Sequence, residues 1–341
     1  MSSPSNSIST TIYNEALFSA LPRASTIAQL TIRQTKKLDG GRAVPVDQVP
    51  RGLPKSSVSR NLEPPEPDKE ALEIPEHRKT RLDAYRAGEE KLIHAIIDGK
   101  LANLTSFTWD TDPPLYDVRS GVSLVIDGQE LDIWTALGKR CPKLVHLQVL
   151  DSAEYNYVHS AMDNALDSVM GFAPVIMRNE RPFAHVLPVH DSSIFDAIKG
   201  LRSFVYRCYS YKHGKDEIPM DRLCGMLRAS PNLEVLKLSF SVYGMRGTET
   251  YSASLDPLFE TGKPVVFSSL HTFDVCAVRA SPENAIVFFS ANPSLRIVKV
   301  SHEGGYNTTD DNFGQNQAVL PEGVLPNVVE FDVGGMEGPG K

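Results

Sequence analysis

One short pattern recurs along this sequence: three large apolar residues spaced L-x-x-L-x-L, in several places with a proline two residues before the first. The clearest copy is S-P-N-L-E-V-L-K-L-S-F at 230–240. Successive side chains of a β-strand point to opposite faces, so Leu236 and Leu238 should share one face while Lys237 lies on the other. Proline fixes φ at about −65° and has no N–H, which suits a turn that ends a helix and starts a strand. The pattern predicts a repeated turn–strand unit.

Eight copies of the triplet divide the chain. They begin at Ile27, Leu104, Leu144, Leu201, Leu233, Leu270, Leu295 and Val328. In a chain that is 41% apolar, the triplet arises by chance with a probability of about 0.07 per window, so the preceding proline is the stronger signal. That proline occurs in the same phase four times, at Pro142, Pro231, Pro293 and Pro326. The last four spacings, 32, 37, 25 and 33 residues, are in or near the range of leucine-rich repeats.

Helical patterns precede most of the triplets. The strongest runs from Glu76 to Asp98, and shorter ones cover 133–140, 193–199, 223–227, 255–259 and 283–290. One helix and one strand of about 30 residues cannot bury their own apolar faces, so neighbouring units must stack. We therefore expect an α/β fold, a leucine-rich-repeat-like solenoid with a curved open parallel sheet and helices on its outer face. A doubly wound nucleotide-binding sheet is disfavoured because neither G-x-G-x-x-G nor G-x-x-x-x-G-K-[ST] occurs.

The chain divides into three expected regions. Residues 1–35 form the first repeat unit. Residues 36–75 contain seven prolines among charged and small residues, a composition typical of a disordered insertion. Residues 76–341 form the rest of the solenoid, with an irregular insertion around 152–192.

The side chain between the last two apolar positions of each triplet should face the open side of the sheet. These residues are Thr31, Thr108, Gln148, Val205, Lys237, Asp274, Lys299 and Asp332. The mixture of charges suits a protein partner better than a polyanion. Thr108, Gln148, Val205, Lys237, Asp274 and Lys299 are therefore candidate partner-binding residues. The alternative is that they are ordinary solvated strand residues.

Four segments of the chain resemble the leucine-rich-repeat region of fungal F-box-type proteins. They are A-L-P-R-A-S-T-I-A-Q-L-T-I, L-G-K-R-C-P-K-L-V-H-L-Q-V, L-R-A-S-P-N-L-E-V-L-K-L and F-S-A-N-P-S-L-R-I-V-K-V. In that family an F-box docks onto a Skp-type adaptor of a cullin ubiquitin ligase, and the repeats select the substrate. The F-box is not evident here, because Ala24 stands where the acidic residue of L-P-x-E belongs. A Skp-type adaptor is thus expected as a partner only if the full-length protein carries an F-box.

No catalytic or metal-binding motif stands out, and we expect no cofactor. His185, His190 and Asp191 have no zinc-like spacing, and Asp110, Asp112 and Asp117 lack the glycine and final glutamate of an EF-hand loop. A non-enzymatic protein-interaction scaffold is therefore the expected function. The competing hypothesis is a hydrolase or transferase on an irregular α/β fold, with a site assembled in space around 171–192.

The charge and cysteine content point to a reducing compartment and a protein partner. The formal net charge of −7 argues against nucleic acid, and the four cysteines are far apart and form no C-x-x-C pair. No stretch approaches 18 apolar residues, and the first residues have no secretory pattern. We expect a monomer in the cytoplasm or nucleus that does not bind membranes.

Overall fold

A nine-stranded parallel sheet dominates the fold, and its strands follow one another in chain order. The computed structural model describes residues 6–22, 25–33, 38–39, 42–43, 76–111, 124–126, 128–151, 193–210, 220–242, 253–259, 265–276, 278–279, 281–301, 318–333 and 336–337. The strands of this sheet are β1 (Ser7–Thr11), β2 (Gln29–Arg33), β3 (Ser106–Thr111), β4 (His146–Asp151), β5 (Ser203–Ser210), β6 (Val235–Val242), β7 (Thr272–Cys276), β8 (Ile297–Ser301) and β9 (Glu330–Val333). The predicted α/β class with a parallel sheet is confirmed.

A helix joins each strand to the next as far as β8. The helices are α1 (Glu15–Ala20), α2 (Glu76–Ile97), α3 (Ile133–Arg140), α4 (Ile194–Ala197), α5 (Met220–Arg228), α6 (Asp256–Phe259) and α7 (Pro282–Ala291). Between β8 and β9 the described residues contain no helix. Neighbouring helices contact one another in chain order, so they form a layer beside the sheet. Two short strands, Leu124–Ile126 and Gln129–Leu131, form an antiparallel hairpin before α3.

A tight turn leads into six of the nine strands. The amide of Leu144 donates to the carbonyl of Cys141 at 3.0 Å, and the amide of Leu233 donates to that of Ser230 at 3.1 Å. In the four equivalent turns, the accepting carbonyls belong to Leu101, Phe267, Asn292 and Leu325, and the donating amide is again three residues later. In four of these turns the second residue is one of the prolines picked out in the sequence, a position for which its fixed φ is suited.

The same pair of backbone hydrogen bonds occurs at the start of every strand from β2 to β9. Two consecutive amides donate to the carbonyl of the residue directly before the preceding strand, as Val145 and His146 do to Thr105, each at 3.0 Å. The first amide of each pair belongs to the residue directly after the first apolar residue of the triplet. Because the bond always falls at the same position, all nine strands pair in a common register.

The apolar side chains of the triplets lie on the helix-covered face of the sheet. Seven strands each bury two of them: Leu30 and Ile32, Phe107 and Trp109, Leu147 and Val149, Phe204 and Tyr206, Leu236 and Leu238, Phe273 and Val275, and Val298 and Val300. These side chains form one continuous core with the buried residues of the helices. Trp109 and Trp134 meet edge to face there, with ring centroids 5.7 Å apart. The predicted alternation of buried and outward-facing residues is confirmed.

Polar contacts connect neighbouring helices at their first turns. Asp132 caps α3 by accepting from the amide of Thr135 at 2.8 Å. The same carboxylate accepts from the hydroxyl of Ser193, the residue before α4, at 2.6 Å. The Arg222 guanidinium on α5 lies 2.7 Å from the Asp196 carboxylate on α4. These contacts connect α3 to α4 and α4 to α5 within the helix layer.

A few segments differ from their predicted structure, and others lie outside the described residues. Strand β1 was not predicted, because S-I-S-T-T has one apolar residue and no triplet; its pairing with β2 places it at the edge of the sheet. Helix α4 is shorter than the pattern at 193–199 indicated. Within 36–75 only the antiparallel pair 38–39 and 42–43 is described, and the expected disordered insertion otherwise lies outside the described residues. So does the irregular region 152–192.

Two helical glycines should respond in opposite ways to alanine. A Cβ at Gly138 would collide with the backbone carbonyl of Ala197 on α4, whereas one at Gly225 would meet nothing within 4 Å. Alanine favours a helix over glycine by about 0.8–1.0 kcal/mol, but forcing atoms into a packed contact costs about 1–3 kcal/mol. Thermal denaturation should therefore show a lower Tm for Gly138→Ala and a raised one for Gly225→Ala. A raised Tm for both would mean that α3 and α4 are not in close contact.

Candidate protein-binding surface

The candidate binding residues form a single row across the sheet. Strand pairing places Thr31 beside Thr108, then Gln148, Val205, Lys237, Asp274, Lys299 and Asp332, each on the next strand and in direct register. They alternate along each strand with the buried apolar residues, so they point away from the helices. We call this side of the sheet the polar face. All eight side chains of the row are exposed or half-buried.

The part of the row on β6 to β9 alternates in charge. We call Lys237, Asp274, Lys299 and Asp332 the charged row. The Lys237 ammonium lies 3.7 Å from the Asp274 carboxylate, with 47% and 34% of the two side chains exposed. The Lys299 ammonium lies 2.7 Å from Glu330, which is two residues before Asp332 on the same strand. Exposed pairs of this kind contribute little to stability, about 0–1 kcal/mol for the Lys237 pair.

Lys299 is the most strongly influenced charge of the row. Its hydrogen bond to Glu330 raises its pKa above the usual lysine value, and the charges of Glu330, Asp274 and Asp332 act in the same direction. Lys299 is therefore fully protonated at physiological pH. Its three acidic neighbours outnumber it, so this end of the polar face has a slight excess of negative charge.

A second row, which the triplet pattern did not reveal, lies on the polar face. Two residues before each member of the charged row lie Val235, Thr272, Ile297 and Glu330, paired in register. Val235 and Ile297 are half-buried and Thr272 is buried. The sequence contains the signal for this row: side chains of a strand alternate with a period of two, so the residue two positions before each outward-facing residue also faces outward. We call Val235, Thr272 and Ile297 the flanking row.

Most of the other candidate site residues lie outside the described part of the chain. His185, His190, Asp191, Asp112 and Asp117 lie outside the described residues, as does the segment 171–192 of the enzyme hypothesis. Asp110 lies on β3, next to Leu150 of β4 on the polar face. Among the described residues, no group of three or more His, Cys, Asp or Glu side chains could hold a metal ion.

Cys141 lies in a turn before β4 and has the wrong environment for a nucleophile. Its thiol is 3% exposed and lies 3.4 Å from the carbonyl of Leu101. Burial raises the pKa of this thiol from 9.0 to about 12. A catalytic cysteine needs the opposite shift, since the thiolate is the reactive form.

We expect the buried thiol of Cys141 to resist alkylation. At pH 8, its thiolate fraction should be about a thousandfold lower than in the unfolded chain. The reason is that this fraction falls about tenfold for each unit by which burial raises the pKa, here from 9.0 to about 12. Iodoacetamide should thus modify Cys141 at least that much more slowly in the native protein than in urea, as followed by mass spectrometry. Comparable rates would show that the turn opens readily.

Comparison with protein-family models, with curated proteins and with solved structures gave no match. In the described part of the chain, no helix has the length and apolar character needed to cross a bilayer.

Proposed function

We propose that this chain is a leucine-rich-repeat-like solenoid that acts as a non-enzymatic protein-interaction scaffold and binds its partner on the polar face. The observation that carries the proposal is the row of chemically varied, accessible side chains that the strands hold in register. Strand pairing fixes the backbone under the row, so little backbone order has to be gained on binding, although the lysine side chains still lose rotamer freedom. The fold thus favours specific recognition of one partner.

The resemblance to fungal F-box-type proteins makes the proposal more specific. On that reading the protein is a substrate-recognition subunit of a cullin ubiquitin ligase, and the polar face selects the substrate. The connection to the ligase requires a Skp-type adaptor, which would bind elsewhere on the full-length protein. The scaffold function does not depend on that connection.

The test is affinity purification of the tagged protein from its source cells, in wild-type form and as two matched variants. Val205→Arg places a bulky charge in the middle of the polar face, whereas Val266→Arg alters a 57% exposed valine outside the sheet. A protein that is captured by wild type and Val266→Arg but not by Val205→Arg, and that then binds directly when purified, supports the proposal. Capture that is unaffected by Val205→Arg would contradict it. Recovery without a Skp-type adaptor or cullin would remove only the ligase part.

A further inference from the structure

We propose that the charged row binds an amphipathic α-helix of the partner, lying across strands β6 to β9 with acidic and basic side chains alternating once per turn. This inference rests on the proposed function and specifies the chemistry of the partner. It is carried by the order of charges in register on four adjacent strands: Lys237, Asp274, Lys299 and Asp332.

The spacing of the row distinguishes a helix from an extended peptide. Adjacent strands lie about 4.8 Å apart, so the four charges span about 14 Å. A helix presents one side chain per turn every 5.4 Å, or about 16 Å for four, a mismatch of about 2 Å that long charged side chains absorb. Residues on one face of an extended peptide recur every 6.6–6.8 Å, or about 20 Å for four. An extended peptide would lose the match after two charges.

The flanking row supplies the apolar contact that such a helix needs. Val235, Thr272 and Ile297 run parallel to the charged row, about 6.6 Å away along the strands. A helix about 10–12 Å in diameter covers both rows at once. Its charged stripe would face the charged row and its apolar stripe the valine and isoleucine. This combination favours an amphipathic helix over a uniformly charged one.

Lys237 and Asp332 are the charges of the row most available to a partner, whereas Lys299 is held by Glu330 at 2.7 Å and would have to share its ammonium with the partner's carboxylate. Lys237 is 47% exposed and its carboxylate partner lies 3.7 Å away, so the pair is loose and partly solvated. Asp332 is exposed, and no ion pair to it occurs among the described residues. An alternating row also rejects partners of the wrong order, because each misplaced charge meets a like charge.

The test uses two stapled helical peptides of identical composition and net charge as probes. Each has an apolar stripe and four charged side chains at successive turns, in the order Glu-Lys-Glu-Lys or Lys-Glu-Glu-Lys. The first matches all four charges of the wild-type row in one orientation, and the second matches only two in either orientation. The double variant Lys237→Asp/Asp274→Lys keeps the composition of the protein but reorders its row, so that the second probe now matches all four.

Fluorescence anisotropy should show a crossover in affinity. Wild type should bind the Glu-Lys-Glu-Lys probe about tenfold more tightly than the other, and the double variant should show the reverse preference. Circular dichroism checks that both proteins are folded. Equal binding of the two probes, no binding of either up to millimolar concentration, or tighter binding of an unstapled, proline-interrupted version would overturn the proposal. So would a dimer formed by the protein alone that the double variant abolishes, since the row would then bind a second copy.

The result of the peptide-binding test can be distinguished from the result of the affinity purification that tests the proposed function. If the probes fail while cellular capture is still lost in Val205→Arg, the scaffold function stands and the helix proposal is wrong. If capture is unaffected by Val205→Arg, the polar face is not the binding surface and both proposals are wrong.

Discussion

Leu236→Ala should lower the free energy of unfolding by about 2–5 kcal/mol, the usual range when a packed core site is emptied. Leu236 is completely buried in the centre of the sheet, paired in register with Phe204 on one side and Phe273 on the other. Truncation leaves a cavity between the sheet and the helix layer. Urea denaturation followed by circular dichroism measures the loss.

Lys237→Ala is the matched control for this change. Lys237 adjoins Leu236 on the same strand but points to the polar face, so its loss should change the free energy of unfolding by no more than about 0.5 kcal/mol. Because each strand is held by its neighbours, hydrogen exchange in the Leu236→Ala variant should also be faster at 204–206 and 273–275. A greater loss for Lys237→Ala than for Leu236→Ala would mean that the two faces of the sheet are assigned the wrong way round.

Asn292→Ala should be comparably destabilising, for a different reason. The side chain is fully buried at the end of α7, where its oxygen accepts from the amide of Phe267 at 2.7 Å. Its nitrogen donates to the carbonyls of Phe288 at 2.8 Å and Val265 at 3.2 Å. Alanine removes all three bonds from a site without solvent, and each buried group that loses its partner costs about 1–3 kcal/mol. We expect a loss of about 3–5 kcal/mol in urea denaturation.

Asn327→Ala separates burial from hydrogen bonding. Asn327 also donates to a carbonyl of the preceding unit, that of Pro293 at 2.9 Å, but it is exposed and water can replace it. Its loss should therefore stay within about 0.5 kcal/mol. Equal effects at the two asparagines would show that the bonds of Asn292 are replaced by water after substitution.

Asn292 begins the turn before β8, and other residues occupy the corresponding position in the turns before β4 and β6. Ser230 occupies the same place before β6, where its hydroxyl accepts from the amide of Leu201 at 3.1 Å and donates to the carbonyl of Met226. Cys141 occupies it before β4 and contacts the carbonyl of Leu101. In each case a small buried polar group connects a turn to backbone outside it. The sequence did not predict these contacts, because Asn, Ser and Cys at this position form no common residue pattern.

The strands were predictable because their signal is local. A triplet such as Leu144, Leu147 and Val149 must place its last two side chains on one face of a strand, and eight such strands were predicted and found. Helix α3 was predicted to the residue, since its apolar stripe and its boundaries lie within one short segment. Strand β1 was not predicted, because its only support is the strand beside it.

The sequence by itself therefore determined eight of the nine strands of the main sheet, most of the helices and the side of the sheet on which the side chains of those strands lie. Only the tertiary structure decided which residues contact one another. Lys237 lies beside Asp274, Glu330 on β9 binds Lys299 on the neighbouring β8, and α3 approaches α4 at Gly138. Periodicity along one chain specifies direction but not register between strands. The register comes from the paired amides at each strand start, and these bonds form only when neighbouring units are packed together.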